Sequence, residues 1–493
     1  MRRLLRFLPL MVALLASSLA QTPSNSAAPA PKVPADLDGR WVGTARRGPE
    51  SAVIGFEFER KPDGRVLAKL WLPEINAYGT GIDWLAYADG KFNVAALGAP
   101  LVLEAGTLRG QLFSPEIAFT AQRGGQLPAE PLPPAGPTGP APAWTYRSGA
   151  KFWSSPVVAD GIAYLGDTAG KLHAVRVRDG TAAWTFDAHA PIFGNVALTA
   201  DAVFVAADNS QLFKLARAIG AELWHVDLGG GDLKRSGPAP DSAEWDYGSA
   251  TPVVFDGVVY AGSVDGSLRA IDAATGRLLW RYATGDKLRA ATLATADRVY
   301  VGSRDHFLYA LDRRTGALVW RFDTGSPVTT APVLADGKIV IGTRDKAVLY
   351  ALDAATGRTA WSVYYWMSWV ESAPVLVDGV LYIGSSDSRR VRALDPATGR
   401  TLWSTQVWGW TWGTPLVVDD TVYYATAATP KYFVPGIASI GALDRRTGRL
   451  KWRRPLPYLD GEYVSGIPGS LAGADGRILA ANRDGTLTAF PVP

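Results

Sequence analysis

One phrase recurs along the C-terminal part of this 493-residue chain and limits the folds that it can adopt. Its general form is Ala-x-Asp-x-x-Thr-Gly-x-x-x-Trp, with copies that begin at Ala270, Ala310, Ala351, Ala393 and Ala442. The period is counted from one tryptophan in each unit of the array: Trp144, Trp184, Trp224, Trp280, Trp320, Trp361, Trp403 and Trp452. The spacings are 40, 40, 56, 40, 41, 42 and 49 residues. A repeat of about forty residues is typical of β-propeller blades.

Each well-formed unit contains signals for four short strands. The stretch TPVVFDGVVYAGSVDGSLRAID, from Thr251 to Asp272, alternates β-rich runs with Asp-Gly pairs, which favour tight hairpins. The tryptophan strand follows as the fourth. Four-stranded units of this kind stack as blades around a central channel.

The phrase itself has a structural explanation. Its aspartate can accept hydrogen bonds from the turn backbone and the threonine hydroxyl, and its glycine supplies the positive φ that closes the turn. In the strand LLWRY, Leu278, Trp280 and Tyr282 share one face, because side chains alternate along a strand. We therefore expect the eight tryptophans to dock against neighbouring blades and to have no catalytic role.

The two ends of the repeat array complement each other. Trp144 has no preceding strands of its own, whereas the forty-one residues after Trp452 supply strand signals without a tryptophan strand. Pairing the two ends completes one composite blade and leaves no open sheet edge. The sequence thus predicts an all-β fold in which residues 144–493 form an eight-bladed propeller of four-stranded antiparallel blades.

The segments before the propeller predict export and one further domain. Residues 1–20 have the arginines, apolar run and small-residue end of a signal peptide, and the run is short for the alternative, a membrane anchor. Pro- and Ala-rich composition predicts linkers at 21–36 and 124–143. Between them, 37–123 predicts a small β-rich domain, whose opening GRWVGT resembles the start of lipocalin-like barrels. We expect a periplasmic or extracellular protein.

Charge and cysteine content exclude several functions. The chain has 50 Lys and Arg against 46 Asp and Glu, and loss of Arg2, Arg3 and Arg6 with the signal peptide leaves 47 against 46. A nearly neutral chain has no overall basic footprint for nucleic acid. The absence of cysteine excludes disulfides, cysteine-bound metals, c-type haem and a lipid-modified cysteine. We expect a monomer with no nucleic-acid partner, no membrane span and no lipid anchor.

The docking phrase resembles the repeat of the PQQ-like, or quinoprotein-type, propeller family. The resemblance covers residues 143–493 and implies the eight-bladed fold. It implies no single function, because the family includes pyrroloquinoline quinone (PQQ)-dependent alcohol dehydrogenases and the outer-membrane assembly lipoprotein BamB. This chain lacks the vicinal cysteine pair that the dehydrogenases commonly carry, and Gln21 stands where BamB has its acylated cysteine.

Candidate binding residues lie where the chain departs from the repeat. The loops that join blades and the turns between second and third strands are expected on one face, with enlarged copies at 229–249 and 425–441. On that face we predict a contact surface of Trp153, Phe193, Arg289, Trp366, Trp369, Glu371, Trp408, Trp410 and Trp412. Such an exposed aromatic platform suits a flat cofactor ring, a sugar face or the apolar side chains of a peptide. The alternative is that these rings only pack between blades.

Two functional hypotheses follow. The first is an exported, non-catalytic binding or scaffold propeller without cofactor or metal, whose aromatic loop face engages an envelope protein or a small planar or sugar-like ligand. No complete catalytic set is present, and His173, His189, His225 and His306 form no metal-spaced pair. The alternative is a dehydrogenase of alcohols or sugars that uses PQQ with calcium. Its calcium would need convergent oxygen ligands, but the candidates Asn195 and Glu371 begin inner strands four blades apart.

Overall fold

A computed structural model describes residues 33–89, 91–133, 136–232, 250–432 and 434–492. The predicted signal peptide and most of the first predicted linker lie outside these residues. The chain divides into two compact units, one mainly before residue 134 and one mainly after it, and each has a hydrophobic core. Within the described ranges, no helix is both long and apolar enough to cross a membrane.

The first unit is a nearly closed β-barrel. Its strands are β1 (Gly39–Arg47), β2 (Glu50–Arg60), β3 (Val66–Leu72), β4 (Ala77–Ala88), β5 (Lys91–Val94), β6 (Val102–Glu104), β7 (Thr107–Leu112) and β8 (Ser114–Arg123), with 3-10 helices at Ala35–Leu37, Pro73–Ile75 and Ala95–Leu97. They pair in the order β5-β4-β3-β2-β1-β8-β7-β6. Between β5 and β6, Leu101 N donates to Phe92 O at 2.8 Å, which narrows the remaining gap.

Apolar side chains fill the barrel. Alternation along β2 directs Ile54, Phe56 and Phe58 inward, where each is at most 1% exposed. Trp41 is also buried, and its Nε1 donates to Leu37 O at 2.8 Å. Trp41 is therefore part of the core of this unit.

The second unit is an eight-bladed propeller, as counted over the described residues. Blades 1 to 4 are β10 (Val157–Ala159), β11 (Ile162–Gly166), β12 (Lys171–Arg176), β13 (Ala182–Asp187); β14 (Ala197–Leu198), β15 (Ala202–Ala206), β16 (Gln211–Ala216), β17 (Glu222–Asp227); β18 (Val253–Phe255), β19 (Val258–Gly262), β20 (Ser267–Asp272), β21 (Leu278–Ala283); and β22 (Leu293–Ala294), β23 (Arg298–Gly302), β24 (Phe307–Asp312), β25 (Leu318–Asp323). Each blade is antiparallel, and its strands follow chain order across the sheet.

The remaining blades keep this plan. Blades 5 to 7 are β26 (Val333–Ala335), β27 (Lys338–Gly342), β28 (Val348–Asp353), β29 (Thr359–Tyr364); β30 (Val375–Val377), β31 (Val380–Ile383), β32 (Arg390–Leu394), β33 (Thr401–Gln406); and β34 (Leu416–Val418), β35 (Thr421–Ala428), β36 (Ser439–Asp444), β37 (Leu450–Pro455), with β38 (Ser465–Gly466) added beside β35. Blade 8 consists of β39 (Ala472–Ala474), β40 (Arg477–Ala481), β41 (Thr486–Pro491) and β9 (Trp144–Arg147).

The repeated tryptophans link adjacent blades. The ring of Trp280 lies against Gly316 in the turn of the next blade, where an added Cβ would meet the ring at 2.7 Å. Its Nε1 donates to Arg313 O at 3.0 Å. Equivalent bonds of 2.9 to 3.2 Å come from Trp144, Trp184, Trp320, Trp361 and Trp403. Gly316 has a φ of 73°, so the turn needs glycine both for its backbone and for its close contact with the ring.

The aspartate of the phrase organises each turn. In blade 4, Asp312 Oδ1 accepts hydrogen bonds from Thr315 N at 2.9 Å and Thr315 Oγ1 at 2.8 Å. The bond from the threonine hydroxyl is the main reason that the pKa of Asp312 lies below its ordinary value. The pKa values of Asp272, Asp353 and Asp444 are lowered by the same kind of bond.

These turns should make the propeller sensitive to acid. A carboxyl group whose pKa is lower in the folded state stabilises the fold above its unfolded pKa, and this stabilisation is lost as the pH falls through the folded pKa. We therefore expect the melting temperature, followed by circular dichroism, to fall as the pH drops below about 4, the ordinary pKa of aspartate. A variant with Thr315→Val and Thr356→Val should show a smaller fall. Identical pH profiles for parent and variant would contradict this explanation.

Blade 8 closes the ring with strands from both ends of the array. β9 pairs with β41 in antiparallel register, with Trp144 opposite Ala489. Tyr146 in β9 also reaches blade 1, where its Oη lies 2.9 Å from His173 Nδ1. His173 Nε2 in turn lies 2.9 Å from the buried carboxylate of Asp167. The eight-bladed, composite closure predicted from the sequence is confirmed.

Candidate binding site on the loop face

One face of the propeller carries all nine predicted binding residues. The turn between the second and third strands and the loop to the next blade share a face, because neighbouring strands are antiparallel; we call it the loop face. The residues lie on loops that join blades: Trp153 (8 to 1), Phe193 (1 to 2), Arg289 (3 to 4), Trp366, Trp369 and Glu371 (5 to 6), and Trp408, Trp410 and Trp412 (6 to 7). Of the two enlarged loops, 425–441 contains the end of β35, and 233–249 lies outside the described residues.

Three of the predicted tryptophans are buried. Trp366, Trp410 and Trp412 are 7%, 2% and 6% exposed, so the expectation of exposed rings is wrong for these three. The rings of Trp410 and Trp412 stack at 5.0 Å, and Trp412 Nε1 donates to Ser386 Oγ at 3.2 Å. Trp410 and Trp412 are buried because Trp410 exchanges backbone hydrogen bonds with Ala427, at 2.8 and 2.9 Å, which draws their loop into blade 7. Trp366, on another loop, packs against the ring of Tyr364 at 5.5 Å. A part for these rings in binding stays a prediction.

Three other tryptophans are half-buried, and each contacts an arginine through its ring face. The distances from guanidinium carbon to ring centroid are 3.9 Å for Arg344 and Trp369, 5.3 Å for Arg453 and Trp408, and 4.3 Å for Arg483 and Trp153. Phe193 stacks against Trp153 at 6.2 Å. Contact between a guanidinium and a ring face stabilises the positive charge and fixes the position of both side chains. The loop face therefore combines aromatic area with preorganised cations.

Sequence reasoning did not find these arginines. Arg344 and Arg483 occupy equivalent positions in Arg-Asp turns between the second and third strands of blades 5 and 8. Arg304 is a third copy in blade 4. Comparison of this turn across the blades gives the signal, whereas the predictions drew their residues from the loops that join blades.

The two predicted charged residues have separate surroundings. Glu371 has a side chain only 7% exposed, and its Oε1 lies 3.5 Å from Arg344 Nε, so a buried carboxylate is paired with a buried cation. Arg289 is 4% exposed and lines a cavity of ≈ 30 Å³ together with Asp208, Ser210 and Ser263. Such a volume holds a water molecule or two.

A belt of hydrogen bonds fixes the starts of the inner strands. Thr414 N donates to Ser470 Oγ (2.9 Å), Ser470 N to Ser155 Oγ (2.8 Å), Ser155 N to Asn195 Oδ1 (2.7 Å) and Asn195 N to Thr251 Oγ1 (3.0 Å). Each donor lies on one loop between blades, and each acceptor lies on the next. The belt thus runs across five successive loops and includes both ends of blade 8. It gives the loop face a rigid base.

The residues that the structure describes do not fit a calcium-bound quinone. Asn195 Oδ1, one candidate ligand, accepts the bond from Ser155 N, and Glu371, the other, is paired with Arg344. In the described parts of the chain, no group of three or more His, Cys, Asp or Glu side chains could hold a metal ion. Calcium requires six to eight oxygen ligands that converge on one point.

Comparison with known protein families identifies the family to which the propeller belongs. The model of a family described as "Outer membrane protein assembly factor BamB" matches residues 137–263, 168–296, 264–368 and 365–492. Together these matches span nearly the whole second unit and well over half of the chain. This chain belongs to the BamB family of PQQ-like propellers.

Individual relatives match over shorter stretches. BamB of Moranella endobia (strain PCIT) is 30% identical over 148 residues, which are 29% of this chain and 37% of the relative. A quinohemoprotein alcohol dehydrogenase of Comamonas testosteroni is 31% identical over 163 residues, which are 28% of this chain and 21% of the relative. The matches span between 21% and 39% of the length of these curated relatives.

Solved structures extend the likeness in fold. BamB from Moraxella catarrhalis superposes with a TM-score of 0.54 at 19% identity, over 71% of this chain and 97% of that chain. The quinohemoprotein alcohol dehydrogenase from Comamonas testosteroni gives 0.54 at 17% identity, over 71% and 76%. The fold is therefore shared by an assembly factor and an alcohol dehydrogenase, and this chain's function has to be argued from its own residues.

Proposed function

We propose that this protein is an exported, non-catalytic propeller of the cell envelope that binds a partner protein through its loop face. Family membership supports a binding role, because the matching family is described as an outer-membrane assembly factor. The observation that carries the proposal is the set of half-buried tryptophans paired with arginines, which runs from blade 5 through blade 8 to blade 1. Export is supported by the N-terminal sequence pattern.

The composition of this surface favours a protein partner. Tryptophan and arginine are the residues most enriched among those that dominate binding energy at protein interfaces. Trp153, Trp369 and Trp408 each combine partial exposure with an arginine that the ring holds in place. A partner can cover the ring area that remains exposed, while the arginines hold the rings in position.

The dehydrogenase alternative has less support from the residues. A quinone cofactor would need a free stacking surface and calcium ligands, but Trp410 and Trp412 stack on each other and Glu371 is paired with Arg344. The paired tryptophans and the belt of hydrogen bonds instead form a rigid support for the loop face. A rigid surface binds with less loss of conformational entropy.

The proposal predicts that removal of the three half-buried rings abolishes partner capture. In a variant with Trp153→Ala, Trp369→Ala and Trp408→Ala, each loss at an interface centre costs about 2 kcal/mol or more of binding free energy. Tagged parent and variant are compared by quantitative mass spectrometry of proteins captured from an envelope extract, and the strongest candidate is then purified for direct titration.

A matched control tests whether removal of exposed apolar side chains elsewhere on the propeller also abolishes partner capture. Leu278 and Leu318 lie on outer strands at the rim and are 49% and 45% exposed. The variant with Leu278→Ala and Leu318→Ala should capture the partner like the parent. Equal affinity of parent and triple variant for the purified partner, with both folded by circular dichroism, would refute the proposed use of the loop face.

A further inference from the structure

A three-residue charge cluster lies on the loop face where blades 7, 8 and 1 meet. Glu462, from the loop between blades 7 and 8, bridges two cations. Its Oε1 pairs with Lys151 Nζ, and its Oε2 accepts a hydrogen bond from Arg483 Nη2 at 3.0 Å. The exposed fractions of the side chains are 45% for Lys151, 26% for Glu462 and 5% for Arg483. The carboxylate thus lies between a solvent-exposed ammonium and a buried guanidinium.

Arg483 is bound by fewer acceptors than a buried guanidinium needs. The residue is 4% exposed, and among the described residues its Nε and Nη1 have no hydrogen-bond partner. An unsatisfied buried donor loses its hydration without compensation, and the penalty is larger for a charged group. Burial accordingly lowers the pKa of Arg483 from its ordinary value, with Glu462 opposing the shift. The site has a deficit of acceptor oxygens.

The charge of the cluster defines what can fill this deficit. Lys151 and Arg483 supply two positive charges against the single negative charge of Glu462, so the cluster keeps a net positive charge that attracts a ligand with a single negative charge. A carboxylate has this charge, and its two oxygens match the fork of a guanidinium. A phosphate group would bring nearly two negative charges beside Glu462.

The neighbouring rings define what the carboxylate should be attached to. The Arg483 guanidinium lies over Trp153 at 4.3 Å, and the Trp153 ring stacks with Phe193 at an interplanar angle of 25°. Both rings are half-buried. They form an apolar floor next to the charge cluster, suited to aromatic or aliphatic side chains.

We propose that Lys151, Glu462 and Arg483 form a carboxylate-exchange site, in which an acidic side chain of a partner peptide displaces Glu462 and its apolar neighbours pack on Trp153 and Phe193. The inference deepens the proposed function and rests on it. Glu462 is the built-in competitor: it shields Arg483 until the incoming carboxylate takes over its contacts. Because the side chain of Glu462 is more exposed than that of Arg483, it can leave the cluster without rearrangement of the blades.

The test is calorimetric titration of the full-length mature protein with two capped peptides, acetyl-Phe-Glu-Phe-amide and acetyl-Phe-Gln-Phe-amide. The peptides differ only in the carboxylate. The parent should bind the Glu peptide at least about tenfold more tightly, as expected for a charge-assisted bidentate contact. Glu462→Gln should tighten binding of the Glu peptide severalfold, because it removes the competing charge. Arg483→Met should remove the preference, and Arg304→Gln, at the equivalent turn of blade 4, should leave it unchanged.

The Glu462 variant keeps the proposal open to refutation if the Arg483 variant fails to fold. Equal binding of the two peptides, no binding of either peptide to the parent, or a Glu462→Gln variant that binds the Glu peptide no more tightly would each overturn the exchange site. Free acetate, titrated as a competitor, should displace the Glu peptide only weakly, because it lacks the aromatic flanks; displacement at equal concentration would contradict the apolar floor. Partner capture that depends on Trp369 and Trp408 but not on Arg483 would leave the proposed function standing without this site.

Discussion

A protein that lacks residues 142–148 is expected to aggregate or to melt far below the parent. The deletion removes β9, which supplies the outer strand of blade 8 and pairs with β41. It also removes the Trp144 ring, which lies against Gly180 and donates to Val177 O at 2.9 Å, and the Tyr146 contact with His173. Loss of a fully buried aromatic ring costs about 3 to 5 kcal/mol, and Trp144 is half-buried, so its share approaches this range and adds to the loss of the strand pairing. Size-exclusion chromatography and thermal melting measure the outcome.

The exposed edge of β41 explains why aggregation should accompany the lost stability. An unpaired strand edge offers free N–H and C=O groups to strands of other chains. The control is deletion of residues 21–123, which removes the barrel and retains β9; it should leave a folded propeller, because the barrel has its own core. If the short deletion were harmless and the long deletion unfolded the blades, closure of the ring by β9 would not be what stabilises the propeller.

The fold was predictable from the sequence because its determinants are local. An Asp-x-x-Thr-Gly turn and a tryptophan four residues after the glycine are read within one short window, and both partners of each turn hydrogen bond lie within it. The blade count followed from the spacing of Trp144 to Trp452, and closure followed from the strand missing at each end. None of these steps required knowledge of how distant loops pack.

The candidate site was less predictable because it depends on packing between loops. The exposure expected for Trp410 and Trp412 assumed that they project from a loop, and it failed because Ala427, in another strand, pairs with Trp410. The partners Arg344 and Arg483 lie on turns distant in sequence from the tryptophans that they contact. The sequence selected these loops by their departure from the repeat, but the contacts that the loops make are tertiary and leave no short-range pattern.

The segment that precedes β9 also makes a contact with residues distant in sequence. Seven docking tryptophans lie against the turn glycine of the following blade, as Trp320 does against Gly357. The eighth, Trp452, faces blade 8, which has no such turn because its third and fourth strands come from opposite ends of the array. Gly139 lies against the Trp452 ring instead. Thr138 and Gly139 thus supply, from the predicted linker, the Thr-Gly pair that the composite blade lacks.

Backbone contacts hold this substitute turn in place. Arg453 N donates to Pro137 O at 3.1 Å, and the side chain of Arg454 donates to Pro140 O at 3.1 Å and to Gly139 O at 2.6 Å. Residues 137–140 of the predicted linker are therefore part of the propeller. The prolines among these residues lack N–H donors, which suits a segment that accepts these three hydrogen bonds through its carbonyl oxygens.

Gly139→Val is accordingly expected to destabilise the propeller by about 1 to 3 kcal/mol, the usual cost of overpacking a close contact. A Cβ at Gly139 would overlap the Trp452 ring, which is itself only 7% exposed and has little room to move. The measurement is the chemical denaturation midpoint of the propeller transition, and the control is Gly136→Ala, whose Cβ would meet the flexible end of Leu450 at 3.3 Å. If the cause is steric, Gly139→Ala should lower the stability by an intermediate amount. Gly139→Val combined with Trp452→Ala should also cost less than the sum of the two single changes, because the smaller side chain at position 452 removes the overlap. Strict additivity of the two changes would show that Gly139 and Trp452 do not act together, and that the propeller closes without the substitute turn.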